Sequence, residues 1–331
     1  MISIVMPVKN ATPFLKECID SILSQSFLDW ELLAVDDGST DDSYEVLKYF
    51  ASKDSRIFVF KNIGKGIINA LRVAANNSHG DKITRMDADD IMPKEKLGEL
   101  SRILDENGQG TLATGKVKYF SNEILGDGFK RYEKWLNKLC ETDKHFDHIY
   151  FECVIPSPCW MVFAEDFNSC GGFQVDRYPE DYDLCFRYYQ KKLTVVSSQK
   201  VLHLWRDSPN RASRIDPNYS DHTFLELKVD YFVQLDYKNK QNLVIWGAGK
   251  KGKRLAKIFS TKDIPFYWIC NNQKKIGQSI YNVELKPVEQ ICSMIDPMIL
   301  ICVSSPEEVE EITVYMNEKS FKFRENYLFF C

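Results

Sequence analysis

Short apolar runs alternate with amphipathic segments along residues 1–120 of the chain. Apolar runs bounded by turn residues are typical of buried strands, and apolar residues repeated every three or four positions are typical of helices. The predicted strands are Ile2–Val8, Glu31–Val35, Ile57–Phe60, Lys82–Met86 and Thr111–Tyr119. The predicted helices are Pro13–Ser24, Asp41–Ala51, Ile67–Asn76 and Lys94–Asn107. This βαβα order predicts an α/β fold with a mostly parallel sheet flanked by helices.

The second half of the chain divides into two parts. From residue 121 to residue 235 the alternation is lost, and short strands are predicted at Trp160–Ala164, Thr194–Ser197 and Val201–Leu204. A polar break at 238–242 then precedes a new apolar strand and the glycine-rich turn Gly247–Gly252. We therefore expect a domain boundary near residue 238, with a first domain at 1–237 and a smaller second domain at 238–331.

The composition is that of an ordinary globular protein, with 44% apolar and 27% charged residues. The formal net charge of −4 argues against non-specific binding to nucleic acid. The sequence has no apolar run of the length of a spanning helix, and Met1–Val8 is interpreted as a first strand rather than a signal peptide. Cys18, Cys185 and Cys302 fall within apolar patterns, as reduced core thiols do. These features favour a cytoplasmic protein.

Carboxylates cluster at the ends of two predicted strands. Asp36 and Asp37 follow the second strand, and Asp87, Asp89 and Asp90 follow the fourth. The carboxyl ends of parallel strands meet at one edge of a sheet, so these side chains are expected to converge. Clustered negative charges are unfavourable without a cation, and oxygen ligands favour magnesium or manganese over zinc. The alternative interpretation is that the aspartates only cap the helices that follow.

A third acidic pair, Glu180 and Asp181, stands at the start of a predicted helix. A helix N-terminus stabilises ionised carboxylates, so capping alone would also explain the pair. Asp183 lies two residues past Asp181, nearly on the opposite side of the helix, and is expected not to participate.

Several segments together resemble the family 2 glycosyltransferases of the GT-A fold. They are Pro7–Asn10, Leu23–Phe27, Asp36–Asp41, Arg85–Asp90, Gly171–Phe173 and Glu180–Asp183, so that the resemblance covers residues 1 to 215. It implies an enzyme that transfers a hexosyl or N-acetylhexosaminyl group, with inversion, from a nucleotide-diphosphate sugar. A UDP-sugar is the default donor, Mn²⁺ or Mg²⁺ is the expected cofactor, and the expected acceptor is a hydroxyl of a growing surface glycan.

The resemblance also implies a role for each matching residue. Those expected to bind the nucleotide are Pro7, Asn10, Asp37, Asp87, Arg206 and Arg211, the two arginines through the diphosphate. Asp89 is expected to ligate the metal. Asp87 is expected to ligate it as well, or to contact the ribose or the phosphates on the metal side. Asp181 is the expected catalytic base, and Glu180 either holds the acceptor or acts as the base in its place. His203 is interpreted as structural rather than as a metal ligand.

The turn at Gly247–Gly252 lies between a strand and a helix, as in dinucleotide-binding folds. The acidic residue that usually follows the second strand is replaced by Cys270-Asn271-Asn272, which argues against NAD binding. The region resembles the half-Rossmann modules appended to some sugar-pathway enzymes. A structural or regulatory module, which could hold an anion or a nucleotide, is therefore favoured over an oxidoreductase.

Two other function classes stay open from the sequence. A sugar-1-phosphate nucleotidyltransferase has a related fold, but it normally carries a glycine-rich loop where this chain has Lys9–Pro13. A non-catalytic nucleotide-sugar-binding module would not need Asp181. The expected partners are the nucleotide-sugar donor and a glycan or lipid-linked glycan, without nucleic acid. Peripheral contact with the inner face of the membrane and a homo-oligomer are both compatible with this assignment.

Overall fold

The computed structural model describes residues 1–121, 125–208, 216–219, 221–237, 242–303 and 305–330. The chain forms two compact units. The first consists of Met1–Phe146 and Val154–Tyr219, and the second of Asp147–Cys153 and Ser220–Cys331.

The first unit is built on a seven-stranded sheet with the order β3-β2-β1-β4-β6-β5-β7. Its strands are β1 (Ile2–Val8), β2 (Trp30–Asp36), β3 (Ile57–Lys61), β4 (Lys82–Arg85), β5 (Thr111–Phe120), β6 (Trp160–Phe163) and β7 (Thr194–Arg206). All neighbouring strands pair in parallel except β6, which is antiparallel to β4 and β5. The mostly parallel α/β sheet predicted from the sequence is confirmed.

Seven helices connect or flank these strands in the described part of the first unit. They are α1 (Thr12–Leu23), α2 (Ser43–Ala51), α3 (Ile67–Asn76), α4 (Lys96–Asn107), α5 (Asp127–Leu139), α6 (Ala164–Ser169) and α7 (Glu180–Gln190). Strands β1 and β2 are buried over almost their whole length, because helices cover both faces of the sheet. This burial explains why they appear in the sequence as continuous apolar runs.

Two local predictions were wrong. The segments Thr194–Ser197 and Val201–Leu204, predicted as separate strands, form the single strand β7, which pairs with β5 through register shifts at Gly115–Val117. Helix α4 begins at Lys96 rather than Lys94 and has no side-chain cap. The aspartates after β4 are therefore not the caps of the helix that follows.

The second unit contains a six-stranded sheet with the order β10-β11-β9-β8-β12-β13. Its strands are β8 (Asn242–Trp246), β9 (Tyr267–Ile269), β10 (Ser279–Ile280), β11 (Val283–Lys286), β12 (Pro297–Ile301) and β13 (Tyr327–Phe329). Its helices are α8 (Asp221–Tyr231), α9 (Lys250–Thr261) and α10 (Pro306–Glu318). Helix α8 and the π-helical turn Phe232–Asp236 belong to this unit by their contacts. The boundary between the two compact units therefore lies before the predicted domain boundary at residue 238. The limits of independently folding domains stay a prediction.

Two further expectations concern the chemistry of the chain. Cys18 and Cys185 are thiols buried in the core, as their apolar surroundings predicted, and Cys302 is buried as well. Among the described residues, every helix is too short or too polar to cross a membrane.

Candidate active site

Hydrogen bonds join the loops that follow β1 and β2. Asn10 adopts a left-handed backbone conformation (φ 50°) that turns the chain towards the β2 loop. Its backbone N–H donates to Ser39 Oγ at 3.0 Å, and its Oδ1 accepts the backbone N–H of Thr40 at 2.8 Å. Pro7 lies beside Val35 in the paired strands. The predicted nucleotide residues Pro7 and Asn10 thus lie beside the β2 loop that carries Asp37.

Asp37 is almost buried, with 8% of its surface exposed. Its carboxylate accepts the backbone N–H of Gly66 at 3.0 and 3.1 Å and Asn62 Nδ2 at 2.5 Å. Lys9 Nζ lies 3.4 Å from Oδ2. Asp37 therefore fixes the loop between β3 and α3 as well as its own loop. Asn62 was not predicted from the sequence, although its position directly after β3 was a usable signal.

A buried arginine connects the acidic loop after β4 to the start of α7. Arg85 Nε donates to Asp87 Oδ1 at 2.7 Å, and its NH1 donates to Glu180 Oε1 at 3.0 Å. Burial alone lowers the pKa of Arg85, but the charges of Asp87 and Glu180 outweigh it and raise that pKa above its usual value. The guanidinium is therefore a permanent positive charge between two acidic segments that lie 95 residues apart.

Glu180 and Asp181 have different surroundings although they are adjacent. Glu180 is buried, and its second oxygen accepts the hydroxyl of Tyr219 at 2.6 Å. Asp181 is less deeply buried than Glu180, and its Oδ1 accepts the backbone N–H of Tyr182 at 2.8 Å. Burial, followed by repulsion from Glu180, raises the pKa of Asp181 to about 7, against the opposing effect of Arg85. A carboxyl group with this pKa can exchange a proton near neutral pH.

Asp87 and Asp89 offer oxygen ligands at the carboxyl end of β4. Within the described part of the chain, Oδ2 of Asp87 has no hydrogen-bond partner, and the Asp89 side chain is partly exposed. No group of three or more histidine, cysteine or acidic side chains is arranged to hold a metal among those residues. Two carboxylates are too few for a closed protein site, but they fit Mg²⁺ or Mn²⁺ completed by phosphate oxygens and water.

The third aspartate of this loop, Asp90, is buried in the core, whereas Asp87 and Asp89 are partly exposed. It accepts from His203 Nε2 at 2.8 Å and from the backbone N–H of Arg206 at 2.7 Å. His203 Nδ1 lies 3.2 Å from Lys96 Nζ, so the tautomer with the proton on Nε2 satisfies both contacts, since Nδ1 then accepts from Lys96 and Nε2 donates to Asp90. The histidine is fully buried in this chain of contacts, which supports its structural interpretation.

Arg206 reaches the acidic loop from β7. Its Nε donates to the backbone carbonyl of Asp89 at 2.6 Å, and its NH2 donates to Glu17 Oε2 at 2.5 Å. The rings of Phe14 and Phe120 lie 4.7 and 4.4 Å from the guanidinium carbon. Arg206 therefore holds the Asp89 loop in place, and its predicted contact with a diphosphate stays a prediction. Arg211 lies outside the described residues.

Asp183 has a structural role, on the side of α7 away from Asp181. Its Oδ2 accepts Arg187 Nε at 2.8 Å, and Arg187 NH1 donates to the carbonyls of Cys170 and Gly172 at 2.6 and 2.7 Å. This pair attaches α7 to the glycine-rich turn before it. The structure agrees with the expectation that Asp183 stays outside the site.

The Arg85→Met variant is expected to lower the free energy of unfolding by about 3–5 kcal/mol, because two acidic groups lose their buried counter-charge. Urea unfolding measures this change. Arg102→Met is the matched control, since Arg102 also contacts two carboxylates, Glu99 and Glu106, but on the exposed face of α4. Its unfolding midpoint is expected to stay almost unchanged because solvent screens exposed ion pairs. Equal shifts in both variants would contradict the role assigned to Arg85.

Comparison with known proteins places the chain among glycosyltransferases. Residues 3–170 match the family model of glycosyl transferase family 2. The uncharacterized glycosyltransferase EpsJ of Bacillus subtilis is 31% identical over 256 residues, which cover 76% of this chain and 73% of EpsJ. Glycosyltransferase GlyA of Streptococcus pneumoniae is 24% identical over 257 residues, or 74% of this chain. The matched region spans only 36% of GlyA.

Solved structures share the fold. Staphylococcus aureus TarS 1–349 in complex with UDP-GlcNAc matches with a TM-score of 0.56 at 15% identity, over 78% of this chain and 71% of TarS. The mannosyltransferase PcManGT from Pyrobaculum calidifontis, in complex with GDP-Man and Mn²⁺, matches with a TM-score of 0.50 at 16% identity. That match covers 70% of this chain and 62% of PcManGT. The predicted GT-A fold is confirmed.

Proposed function

This chain belongs to glycosyl transferase family 2 and is a glycosyltransferase, and we propose that it transfers a sugar, with inversion, from a nucleotide-diphosphate donor to a hydroxyl of a growing surface glycan. The observation that carries the proposal is the contact of Arg85 with both Asp87 and Glu180. One side chain connects the loop suited to a metal and diphosphate with the segment suited to a base. Both halves of a transfer site thus lie within the reach of one guanidinium.

The donor pocket in this proposal is formed by the loops after β1 and β2. Pro7 and Asn10 contact the nucleoside, and Asp37 shapes the pocket by fixing the β3–α3 loop. A UDP-sugar is the preferred donor, and the fold match to TarS in complex with UDP-GlcNAc supports that choice. The transferred group is therefore a hexosyl or N-acetylhexosaminyl group.

The metal ligands in this proposal are Asp89 and Asp87, and PcManGT in complex with Mn²⁺ supports a divalent ion. A bound Mn²⁺ or Mg²⁺ ion neutralises charge that develops on the departing nucleotide diphosphate. The chain itself holds the two ligands, since Arg85 fixes the side chain of Asp87 and Arg206 fixes the backbone of Asp89. The ligand geometry is thereby set before the donor binds.

The base in this proposal is Asp181. As the acceptor oxygen forms a bond to the anomeric carbon, the bond from that carbon to the phosphate oxygen breaks, and Asp181 takes the hydroxyl proton. A single displacement of this kind inverts the anomeric centre. Glu180 orients the acceptor side of the pocket because Arg85 and Tyr219 fix both of its oxygens. A lipid-linked acceptor would require only peripheral contact with the inner face of a membrane.

The pH dependence of kcat/KM follows from the raised pKa of Asp181. The carboxylate must be ionised to accept a proton, so kcat/KM is expected to be low in acid and to reach a plateau above a midpoint of about 7. Below the midpoint it should fall tenfold for each pH unit. Initial rates at subsaturating donor, measured across the pH range, test this. A plateau extending down to the usual range of an aspartate, near pH 4, would contradict a base with a raised pKa.

The proposed reaction is tested by release of UDP from UDP-sugars. Purified protein is screened by thermal shift against nucleotide sugars with and without Mn²⁺, since ligands that bind the folded state raise Tm. Donors that raise Tm are then assayed with glycan acceptors. Release of UDP with formation of a glycoside supports the proposal. Pyrophosphate release from a nucleoside triphosphate and a sugar phosphate would indicate a nucleotidyltransferase instead, and a bound nucleotide without turnover would indicate a binding module.

A further inference from the structure

The outer face of α9 in the second unit carries five basic side chains, with the uncharged Ile258 and Thr261 in the same sector. The basic residues are Lys250, Lys251, Lys253, Arg254 and Lys257, which fall within about 160° of the helix circumference. The opposite side packs into the core through Gly252, Leu255, Ala256 and Phe259. Helix α9 contains no acidic residue at all. The basic face, as these five residues are called below, is therefore a continuous positive surface.

The basic face is unfavourable for the helix that carries it. Lys250, Lys251 and Lys253 lie at the positive end of the helix dipole, where cations are destabilising. Like charges three and four residues apart also repel each other. Within the described part of the chain, none of the four lysines forms an ion pair. Folding of the second unit alone does not explain this arrangement.

Helix α10 has the opposite character. Its exposed face carries Glu307, Glu310, Glu311 and Glu318, which border a shallow groove of about 420 Å³ together with Val314 and Tyr315. These carboxylates also form no ion pair with any described residue. The acidic face, as this group is called below, is thus a groove of mainly negative charge, with Lys319 Nζ over the Tyr315 ring at 5.7 Å as the cation at its end.

The two faces match in length and spacing. Lys250, Lys253, Arg254 and Lys257 follow the spacing i, i+3, i+4, i+7 along a helix of 12 residues. Glu307, Glu310, Glu311 and Val314 follow the same spacing along a helix of 13 residues, and Glu318 extends the series by one turn. At three of the four matching positions a basic side chain can therefore meet a glutamate, and at the fourth it meets Val314.

The two faces lie on opposite sides of the sheet, so they cannot meet within one copy. Ile312 and Met316 of α10 pack with Val244 and Trp246, the residues of β8 that point to one side. Helix α9 connects β8 to β9, and helix α10 connects β12 to β13. In the order of the sheet these two connections run in opposite directions. Right-handed crossovers in opposite directions place their helices on opposite faces.

We propose that the second unit binds a second copy of this chain head to tail, with the basic face of one copy along the acidic face of the next. Since each copy offers one face of each kind on opposite sides, the contact is heterologous and can repeat. Exposed ion pairs are individually weak, so association depends on concentration and is suppressed by salt.

Sedimentation velocity of the full chain tests the proposal. At an ionic strength of about 0.01 M, where the Debye length is about 30 Å, the sedimentation coefficient is expected to rise with protein concentration. At about 1 M, where charges are screened within about 3 Å, it is expected to stay at the monomer value. A wild-type protein that stays monomeric at low ionic strength would overturn the proposal.

Charge reversal assigns the association to the two faces. The variant Lys250→Glu/Lys253→Glu/Lys257→Glu and the variant Glu310→Lys/Glu311→Lys/Glu318→Lys are each expected to be monomeric. Mixed in equal amounts they are expected to associate again, since each then carries what the other lacks. A mixture that stays monomeric would overturn the proposal, and circular dichroism confirms that both variants are folded.

A matched control separates the specific faces from net charge. Lys130→Glu/Lys134→Glu/Lys138→Glu makes the same change on α5, at exposed lysines of the first unit, and is expected to associate as the wild type does. Loss of association in this control would overturn the proposal. In a last experiment, binding of the wild-type protein to vesicles containing phosphatidylglycerol is measured. Binding of the wild type to them through the basic face, with a monomer in solution, would assign that face to an anionic lipid surface instead.

Discussion

Replacing Asp181 with asparagine is expected to reduce kcat for sugar transfer by about 10²- to 10⁴-fold, the usual contribution of a general base. Asparagine has the same size and can still accept the backbone N–H of Tyr182, but it cannot take a proton from the acceptor hydroxyl. The fold and the donor pocket should be preserved, so the donor-induced rise in Tm should persist. Steady-state kinetics with saturating donor and acceptor measure the loss.

The control for this prediction is Asp183→Asn, made in the same helix. Asp183 holds Arg187, which in turn holds the turn at Gly172. Its replacement is expected to lower Tm because a buried arginine loses its counter-charge, while kcat per folded molecule is retained. The pair of variants therefore separates catalysis from stability. Full activity in Asp181→Asn, or loss of kcat in both variants, would contradict the assignment of Asp181 as the base.

Replacing Asp89 with alanine is the second change with a large expected effect. A metal ion that stabilises the leaving group contributes several kcal/mol, so its loss is expected to lower kcat by about 10²- to 10³-fold. The Mn²⁺ concentration that gives half-maximal activity should rise as well. Metal titrations of the transfer rate measure both quantities.

The matched control is Asp90→Asn, in the adjacent position of the same loop. Asp90 faces His203 and the backbone of Arg206 in the core, so its replacement is expected to lower Tm without changing the Mn²⁺ dependence. An unchanged Mn²⁺ dependence in Asp89→Ala would remove Asp89 from the metal site. A changed dependence in Asp90→Asn would show that the whole loop, rather than one ligand, sets the affinity for the metal.

The strand ends were predictable because periodicity and burial act locally. Strands β1 and β2 are covered by helices on both faces, and therefore appear as uninterrupted apolar runs that stop where Lys9 and Asp37 begin. The parallel order of the sheet then brings those ends to one edge. The prediction that Asp37, Asp87 and Asp89 line one crevice rests on this pattern and the family resemblance, and it stays a prediction.

The connections between those residues could not be predicted in the same way. Arg85 contacts Glu180 across 95 residues, Tyr219 contacts Glu180 across 39, and Arg206 contacts Glu17 across 189. Hydrogen bonds between distant side chains leave no periodic trace in a single sequence. An arginine at the end of the predicted strand Lys82–Met86, directly before the acidic run, was the available signal for Arg85, since a buried guanidinium requires acidic partners.

Residues of one type have different partners in the fold. Arg206 was assigned to the diphosphate because arginines bind phosphate; its guanidinium contacts Glu17 and the carbonyl of Asp89, and the contact with the diphosphate stays a prediction. Asp90 belongs to the same acidic run as Asp87 and Asp89, but the chain turns it into the core, where His203 meets it. Residue type indicates which contacts a side chain can make, and only the fold decides which of them it makes.

A crystal structure of the protein with UDP and Mn²⁺ shows whether the loops after β2 and β4 and the start of α7 form one site. We expect an anomalous manganese peak within bonding distance of the Asp89 carboxylate, a uracil ring beside Asn10 and Asp37, and a diphosphate that points towards Asp181. A manganese peak remote from Asp87 and Asp89, with the nucleotide bound at another edge of the sheet, would contradict this expectation.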